Sequence, residues 1–549
     1  PVLHRKLAYL RTNLGCTYKN SIILVRSSMS ACRFIMLPPP VQITFSMQYT
    51  IKLFAEITIK SRPVRQRMVR MLRDNLRTLI KPLDPDVVMD RNWDYIGISS
   101  QADDATQAQI VDLLKRTPGI SHFQCVHEFP LYKTGTTEVD APEIDAPEID
   151  WDGIFGYTRA VYGELLAGKT FRVSCRRLGN HTFQSGDIER YIGGGLNQHC
   201  PSAGVKLKNP DINVSVEIRH DSFYVVEQDY QGLGGFPMAT QDAVLSLISG
   251  GFDSTVSTYL TMKRGLLTHF CFFNLGGDAH EIAVKEIAVY LWMKYGASHR
   301  VKFISVPFID VVREIQEKVH HSQMGVILKR MMLRAASELA QKLEIQALVT
   351  GEAVAQVSSQ TLQNLSVITQ VTDTLVLRPL ITMDKPDIID YARKIGTEIF
   401  AKNIPEYCGV ISQKPTTRAK LERIEREENR FDFAVLQQAI ADSVLTNIDQ
   451  ITRTEQQADN IGALHEAPAG SVILDIRHPD EEQQKPLVIA GATVQTLPFY
   501  QLHKRHTELD KNTQYLLYCE RGVMSRLQAQ FLRGQAFPHI NIFQQRTKK

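Results

Sequence analysis

Two cysteines far apart in the chain have neighbours suited to sulfur chemistry. Cys519 follows the apolar run Tyr515-Leu516-Leu517-Tyr518 and opens the short loop Cys519-Glu520-Arg521-Gly522-Val523-Met524-Ser525. A tight loop with Gly and Ser can turn successive backbone N–H groups onto one sulfur, favouring thiolate or persulfide over the neutral thiol. Cys519 is therefore a candidate sulfur carrier. Cys408, in Ile404-Pro405-Glu406-Tyr407-Cys408-Gly409, is by itself an ordinary turn cysteine. Cys16, Cys32, Cys125, Cys175, Cys200 and Cys271 lack such a loop and are expected to be inert.

A second constellation points to a nucleotide. Leu247 and Ile248 end an apolar run, and Ser249-Gly250-Gly251-Phe252-Asp253-Ser254-Thr255 follows, leading into a helix-like stretch from Val256 to Arg264. Glycines at a strand-to-helix turn let backbone amides close on a pyrophosphate, the hydroxyls add donors, and the helix N-terminus adds its dipole. Asp253 is an anion among anions, which calls for Mg²⁺ bridging it to phosphates; its plainer role is an N-cap. Gly163-Glu164-Leu165-Leu166-Ala167-Gly168-Lys169-Thr170 also matches a P-loop pattern, but with the context reversed. A helix-like segment, Tyr157 to Leu166, precedes it and a strand-like one follows, so Gly168 reads as a helix C-terminal cap.

These residues need a scaffold. Val244–Ile248, His269–Phe273, Val301–Val306 and Ala347–Thr350 read as buried strands separated by helices, the last of these running from Arg330 to Lys342. The alternation predicts a doubly wound parallel sheet whose ligand sits at the strand C-terminal ends. The loop after Ile248 and the Thr350-Gly351 turn should share that rim. Upstream, alternating segments predict two small α+β units, the first with strands at Tyr49–Ile57, Trp93–Ile98 and Ile120–Phe123. In the first, Lys60 to Arg73 is rich in arginine and free of acids, with Val64, Met68, Met71, Leu72 and Leu76 at helical spacing. Such a helix turns its cations outward, where they are either solvated or grip phosphates. Arg172, Arg176, Arg177, Lys206 and Lys208 make the second unit basic too.

At 549 residues, with 43% hydrophobic and 22% charged residues, the chain should form several globular domains. No apolar run approaches the roughly 20 residues that span a bilayer, so no membrane partner is expected. Eight cysteines without a CxxC pair suggest a reducing cytoplasm rather than a disulfide scaffold or zinc site. Residues 1–46 carry cations but no acids and end near Pro38-Pro39-Pro40 before Met47; an upstream mis-assigned start is expected rather than a targeting segment. Ala141-Pro142-Glu143-Ile144-Asp145 repeats as Ala146-Pro147-Glu148-Ile149-Asp150, which reads as a duplication in a linker.

From Met47 onward the chain resembles the bacterial tRNA 4-thiouridine synthetase family, ThiI. Ser249 to Ser254 stands at that family's PP-loop, and Leu474-Asp475-Ile476-Arg477-His478-Pro479 with Cys519 to Ser525 at its rhodanese strand and active loop. The resemblance implies a ferredoxin-like unit (47–107), a THUMP RNA-binding domain (108–220), an ATP-pyrophosphatase domain (221–440), a linker (441–466) and a rhodanese-like domain (467–549). It implies that ATP adenylates uridine at position 8 of tRNA and that Cys519 carries persulfide sulfur from a cysteine desulfurase. Cys408 would then resolve the reaction as a disulfide with Cys519, and the ThiS carrier of thiamine biosynthesis would be a second acceptor. ATP contacts carry over to Leu247, Ile248, Ser249, Gly250, Gly251, Ser254, Lys329, Gly351 and Gln360, and Asp253 becomes the acid needed for adenylation with Mg²⁺. No protein-only metal site is implied, and a homodimer is compatible. Met524 stands where many rhodaneses carry Arg, which argues against a simple thiosulfate:cyanide rhodanese. Two other readings are an ATP-pyrophosphatase acting on a small metabolite and a non-catalytic RNA-binding adaptor.

Overall fold

A computed structural model describes residues 47–91, 95–133, 148–402, 414–451, 463–468, 470–477, 479–489, 491–498, 501–502, 505–519 and 523–545. Cys408, the expected leader and most of the Ala-Pro-Glu-Ile-Asp duplication lie outside these residues. The duplication's last residue, Asp150, is described; its carboxylate caps the next helix by accepting from the Gly153 N–H at 2.9 Å.

The N-terminal part is built on one eight-stranded sheet. Its strands are β1 (Met47–Leu53), β2 (Val88–Arg91), β3 (Tyr95–Ser100), β4 (Ile120–Pro130), β5 (Thr170–Leu178), β6 (Gly204–Val205), β7 (Ile212–Arg219) and β8 (Ser222–Gln231). In space they run β2-β3-β1-β4-β8-β7-β5-β6, so the two expected α+β units share a continuous sheet through β4 paired with β8. Helix α1 (Arg62–Ile80) buries Met68, Val69, Leu72 and Leu76 and leaves Arg67, Arg70 and Arg77 exposed, as an amphipathic basic helix should. Helix α2 (Asp104–Arg116) places Ile110, Leu113 and Leu114 in the same core as Tyr49 and Phe123. The expected boundary after residue 107 therefore falls inside a helix that belongs to the first unit.

Helices α3 (Trp151–Tyr162) and α4 (Ser185–His199) pack against the other half of the sheet. The P-loop look-alike has the reversed context, α3 before it and β5 after it, but α3 ends at Tyr162 with Gly163 as its C-cap, so the expected cap, Gly168, instead turns the chain just before β5 at a positive φ of 68°. That backbone is a turn that glycine adopts without strain, and its amide donates to the Pro201 carbonyl rather than standing ready for phosphate.

The central sheet comprises β9 (Gln241–Leu247), β10 (Leu266–Asn274), β11 (Lys302–Pro307), β12 (Ala347–Val349), β13 (Leu375–Leu377) and β14 (Val444–Asn447). Their order is β13-β12-β9-β10-β11-β14. The first five are parallel, and β14 pairs antiparallel with β11. Residues 444–447, expected in a linker, thus form an edge strand of the nucleotide-binding sheet. Parallel strands buried on both faces read as continuous apolar runs, which is why β10 and β11 were legible. Helices α5 (Phe252–Lys263), α6 (Asp278–Leu291), α7 (Met324–Lys342) and α8 (Lys385–Ile395) cover the faces. Helix α7 starts before Arg330, because its first turns bury Val326, Ile327 and Leu328 without a side-chain cap to mark the start.

A third sheet, all parallel, is ordered β15-β19-β18-β16-β17. Its strands are β15 (Ala463–Leu464), β16 (Val472–Asp475), β17 (Thr493–Thr496), β18 (Tyr515–Tyr518) and β19 (Ile540–Phe543), with helix α9 (Val523–Gly534) after β18. Its core is continuous with that around α5 and α6. No helix among the described residues is long and apolar enough to cross a membrane.

Candidate nucleotide and sulfur sites

The order in which strands are added reverses between β9 and β12, which stay parallel; this is the switch point where open α/β sheets open a crevice at the strand C-termini. Leu247 and Ile248 end β9 there, and the Ile248 amide is held by the Cys271 carbonyl at 2.9 Å. Gly250 turns the chain at φ 84°, and Gly251 begins α5 without a side-chain cap. The first amides of α5 therefore face the rim with no intrahelical acceptor of their own. Ser254 ties the loop together: its hydroxyl receives the Ser249 N–H and hydroxyl at 3.2 Å each and donates to the Gly251 carbonyl at 3.1 Å.

Gly351, after β12, lies against this loop. A Cβ there would sit 2.6 Å from the Asp253 carbonyl carbon and 2.7 Å from the Ser254 nitrogen, so only glycine permits the approach. Asp253 points to the rim with about a fifth of its side chain exposed. Lys385 Nζ lies 2.8 and 3.0 Å from its two oxygens, and Gln356 Nε2 donates to it at 2.7 Å. Sequence reasoning missed both partners. A signal existed for Lys385: a cation in the first turn of a helix opposes the macrodipole and so suggests another task.

Lys329, on α7, donates to Glu352 at 2.9 Å, and Arg378 bonds the other Glu352 oxygen at 2.9 Å. Burial alone would push the Glu352 carboxyl up, but Lys329 and Arg378 hold it below the usual carboxylate range. Gln360 is buried, and among the described residues its side-chain oxygen has no hydrogen-bond partner. A buried acceptor left without a partner is the group a bound ligand's N–H would satisfy. His280 of α6 hydrogen-bonds the backbone of Ser249 and meets the Phe272 ring edge-on at 4.8 Å; burial keeps its imidazole below the ordinary histidine range. The structure thus gathers Leu247, Ile248, Ser249, Gly250, Gly251, Asp253, Ser254 and Gly351 on one rim, and joins Lys329 to it through the Glu352 carboxylate, one residue beyond Gly351. Among the described residues no group of three or more His, Cys, Asp or Glu is placed to hold a metal ion.

Cys519 ends β18 and is buried. The Ser525 N–H, in the first turn of α9, points at its sulfur at 3.3 Å. A thiol at a helix N-terminus is biased toward thiolate. Glu520 to Gly522 lie outside the described residues, so Ser525 supplies the described part of the expected nest. Beneath it, Arg477 and Asp475 form an ion pair, both 1% exposed, with the guanidinium stacked 5.0 Å from the Tyr518 ring centre. Burial raises the thiols of the other described cysteines: Cys125 and Cys271 far up, Cys175 to about 12, and Cys200 in the same direction.

A glycine turn with inward amides at a sheet switch point, faced by an acid and a lysine, defines a nucleotide-binding α/β domain of the PP-loop kind. Family comparisons agree and extend it. Residues 239–433 match the family described as thiamine biosynthesis protein (ThiI), residues 148–226 a THUMP domain and residues 50–124 a ThiI ferredoxin-like domain. A tRNA sulfurtransferase of Saccharophagus degradans is 48% identical over 498 residues, covering 90% of this chain and 100% of that one. One from Pseudomonas aeruginosa is 50% identical over 498 residues, covering 90% and 99%. A solved 4-thiouridine synthetase, complexed with RNA and bound ATP, shares the fold with a TM-score of 0.63 over 73% of this chain and 99% of its own, at 23% identity. The chain belongs to the tRNA sulfurtransferase (ThiI) family of enzymes.

Proposed function

We propose that the protein uses ATP to adenylate uridine at position 8 of tRNA and replaces the activated oxygen with sulfur carried on Cys519, giving 4-thiouridine. The observation that carries this reading is the pairing of the glycine loop and Asp253 at the switch point with a cysteine held at a helix N-terminus in the same chain.

A carbonyl oxygen is a poor leaving group, and adenylation converts it to AMP as pyrophosphate departs. The loop amides and Lys385 would hold the phosphates, and the Gln360 oxygen would accept an N–H of the nucleotide. Asp253 would hold Mg²⁺ together with those phosphates; its rim-facing carboxylate fits, since Mg²⁺ is commonly bound by one carboxylate and substrate oxygens. The metal would neutralise phosphate charge.

The Cys519 thiolate attacks the outer sulfur of a cysteine desulfurase persulfide, breaking its S–S bond and releasing the donor thiol. The resulting Cys519 persulfide attacks C4 of the uridine, and AMP leaves. Cys408 thiolate then attacks the Cys519 sulfur, freeing 4-thiouridine and leaving a Cys408–Cys519 disulfide that a cellular dithiol reduces by two electrons. The C-terminal sheet, with Cys519 after β18, suits a rhodanese-like domain in this role. Exposed Arg172 and Arg176 on one face of β5, with Lys206 and Lys208 just past β6, the strand that pairs with β5, suit an RNA backbone. The same persulfide would serve the ThiS carrier for thiamine. The setting would be the cytoplasm, and the protein could act as a homodimer.

The test is pyrophosphate release by the purified protein with ATP, with and without unmodified tRNA. Release that depends on tRNA, followed by 4-thiouridine when a persulfide donor is added, is expected. Release driven by a small metabolite without tRNA would overturn the reading.

A further inference from the structure

At the nucleotide rim Glu352 sits between two cations. Strands β12 and β13 pair in parallel with Val349 opposite Leu377, and the Thr350 N–H carries that ladder on to the Leu377 carbonyl at 3.0 Å. Both segments therefore leave the sheet at the same C-terminal edge, which brings Arg378 beside Glu352. Arg378 Nε donates to Glu352 Oε2 at 2.9 Å, and its Nη2 donates to the Thr369 hydroxyl at 2.7 Å. The Thr350 hydroxyl donates to the same carboxylate oxygen at 3.1 Å. From the other side Lys329 Nζ, on α7, donates to Oε1 at 2.9 Å.

The side chains of Glu352 and Arg378 are 9% and 15% exposed, whereas that of Lys329 is 22% exposed. Lys329 is thus the member of the triad most open to a ligand. A buried carboxylate matched by a single lysine would hold that lysine fast, because withdrawing its partner strands a charge away from water. Here Arg378 and Thr350 remain on Oε2 when the ammonium turns outward. Two cations on one carboxylate also leave one positive charge in excess. That charge lies close to where the loop amides face an anion, since Gly351, the residue before Glu352, packs on the first turn of α5. A lysine ammonium has three N–H donors on a flexible stem, so it can serve a carboxylate and a phosphate oxygen together.

We propose that Glu352 and Arg378 are positioning residues for ATP: Glu352 aims the Lys329 ammonium along the rim, and Arg378 neutralises Glu352 so that the lysine's charge is available to a phosphate of ATP. Both act through Lys329. The proposal rests on reading Lys329 as an ATP contact, and it makes a demand that this reading alone does not: ATP affinity follows the net charge of the triad. Binding is measured without tRNA, so the outcome is separate from the identity of the acceptor.

The experiment is equilibrium dialysis of the full-length protein against radiolabelled ATP with Mg²⁺, and against adenosine, which has no phosphate. Lys329→Met should weaken ATP binding roughly tenfold, the scale of one hydrogen bond to a charged group. Arg378→Gln keeps a polar side chain but leaves Glu352 to cancel Lys329, and should weaken ATP binding to a similar extent with little change for adenosine. Arg378→Lys, which keeps the charge, should bind ATP nearly as wild type does. Adding Glu352→Gln to Arg378→Gln restores the excess positive charge and should recover most of the lost affinity, although it removes the ion pair altogether. If Arg378→Gln fails to fold, this double variant decides: it strands no buried charge, and a tenfold loss of ATP affinity in it overturns the proposal. Unchanged ATP binding in Lys329→Met would overturn the ATP contact and the proposal with it. Weakened binding there but wild-type binding in Arg378→Gln, or an equal loss for adenosine, would overturn the positioning role alone.

Discussion

Gly351→Ala is the sharpest perturbation the nucleotide site offers. The added methyl would lie 2.6 and 2.7 Å from the carbonyl carbon and oxygen of Asp253 and 2.7 Å from the Ser254 nitrogen. Carbon contacts relax only near 3.4 Å or more, so one backbone must retreat by about 0.8 Å. Neither can bend like a side-chain tip: Gly351 follows a strand inside a parallel sheet, and Asp253 and Ser254 form the first turn of a buried helix. Such overpacking destabilises a fold by about 1–3 kcal/mol, which a large protein survives. The catalytic effect should be greater, since a misplacement of about 1 Å can lower a rate by about 100-fold. Steady-state pyrophosphate release in the presence of tRNA should show kcat/KM for ATP reduced by about two orders of magnitude, with a modest fall in melting temperature. Gly194→Ala is the control: on α4 its Cβ meets nothing within 4 Å among the described residues, so it should leave activity intact and stabilise by up to about 1 kcal/mol. Wild-type kcat/KM for ATP in Gly351→Ala would refute the placement of the phosphate site.

Lys385→Met should lower kcat/KM for ATP by about 10-fold or more while changing stability by less than about 1 kcal/mol, because its ion pair with Asp253 is partly exposed; kinetics and thermal melting separate the two effects. Burial, reinforced by Lys302, lowers His269 to about 4, and its ring accepts the Lys302 N–H at 3.0 Å. The unfolded chain takes up that proton near pH 6.5, so it binds more protons than the folded one between about 6.5 and 4, and stability falls as pH drops through that window by about 3 kcal/mol in all. Urea unfolding at pH 7.5 and 5.5 should show the first part of this loss, about 1 kcal/mol, and His269→Asn should reduce it. Replacing Arg172, Arg176, Lys206 and Lys208 by alanine should weaken tRNA binding and flatten its salt dependence by about 0.7–0.9 in log–log slope for each phosphate that the protein no longer neutralises; binding titrations at several salt concentrations read both.

The glycine loop was legible because its chemistry is local: turn, amides and helix dipole arise within Ser249 to Thr255. Its partners were not. Lys385 meets Asp253 from 132 residues away, and nothing but its awkward place at a helix start distinguishes it from a solvated lysine. The strand at 444–447 was missed because an edge strand with Val444 and Leu445 exposed lacks the continuous apolar run of its parallel neighbours. The N-terminal units looked separate because β4 finds β8 about a hundred residues later, a pairing set by the tertiary fold rather than local pattern.

The central claim is that Cys519 carries the transferred sulfur. Its most direct measurement is the 4-thiouridine content of bulk tRNA in a strain that lacks the nucleoside, complemented with this chain or with its Cys519→Ser variant. Restoration by the wild type and none by Cys519→Ser is predicted. Full restoration by Cys519→Ser would contradict the persulfide mechanism outright.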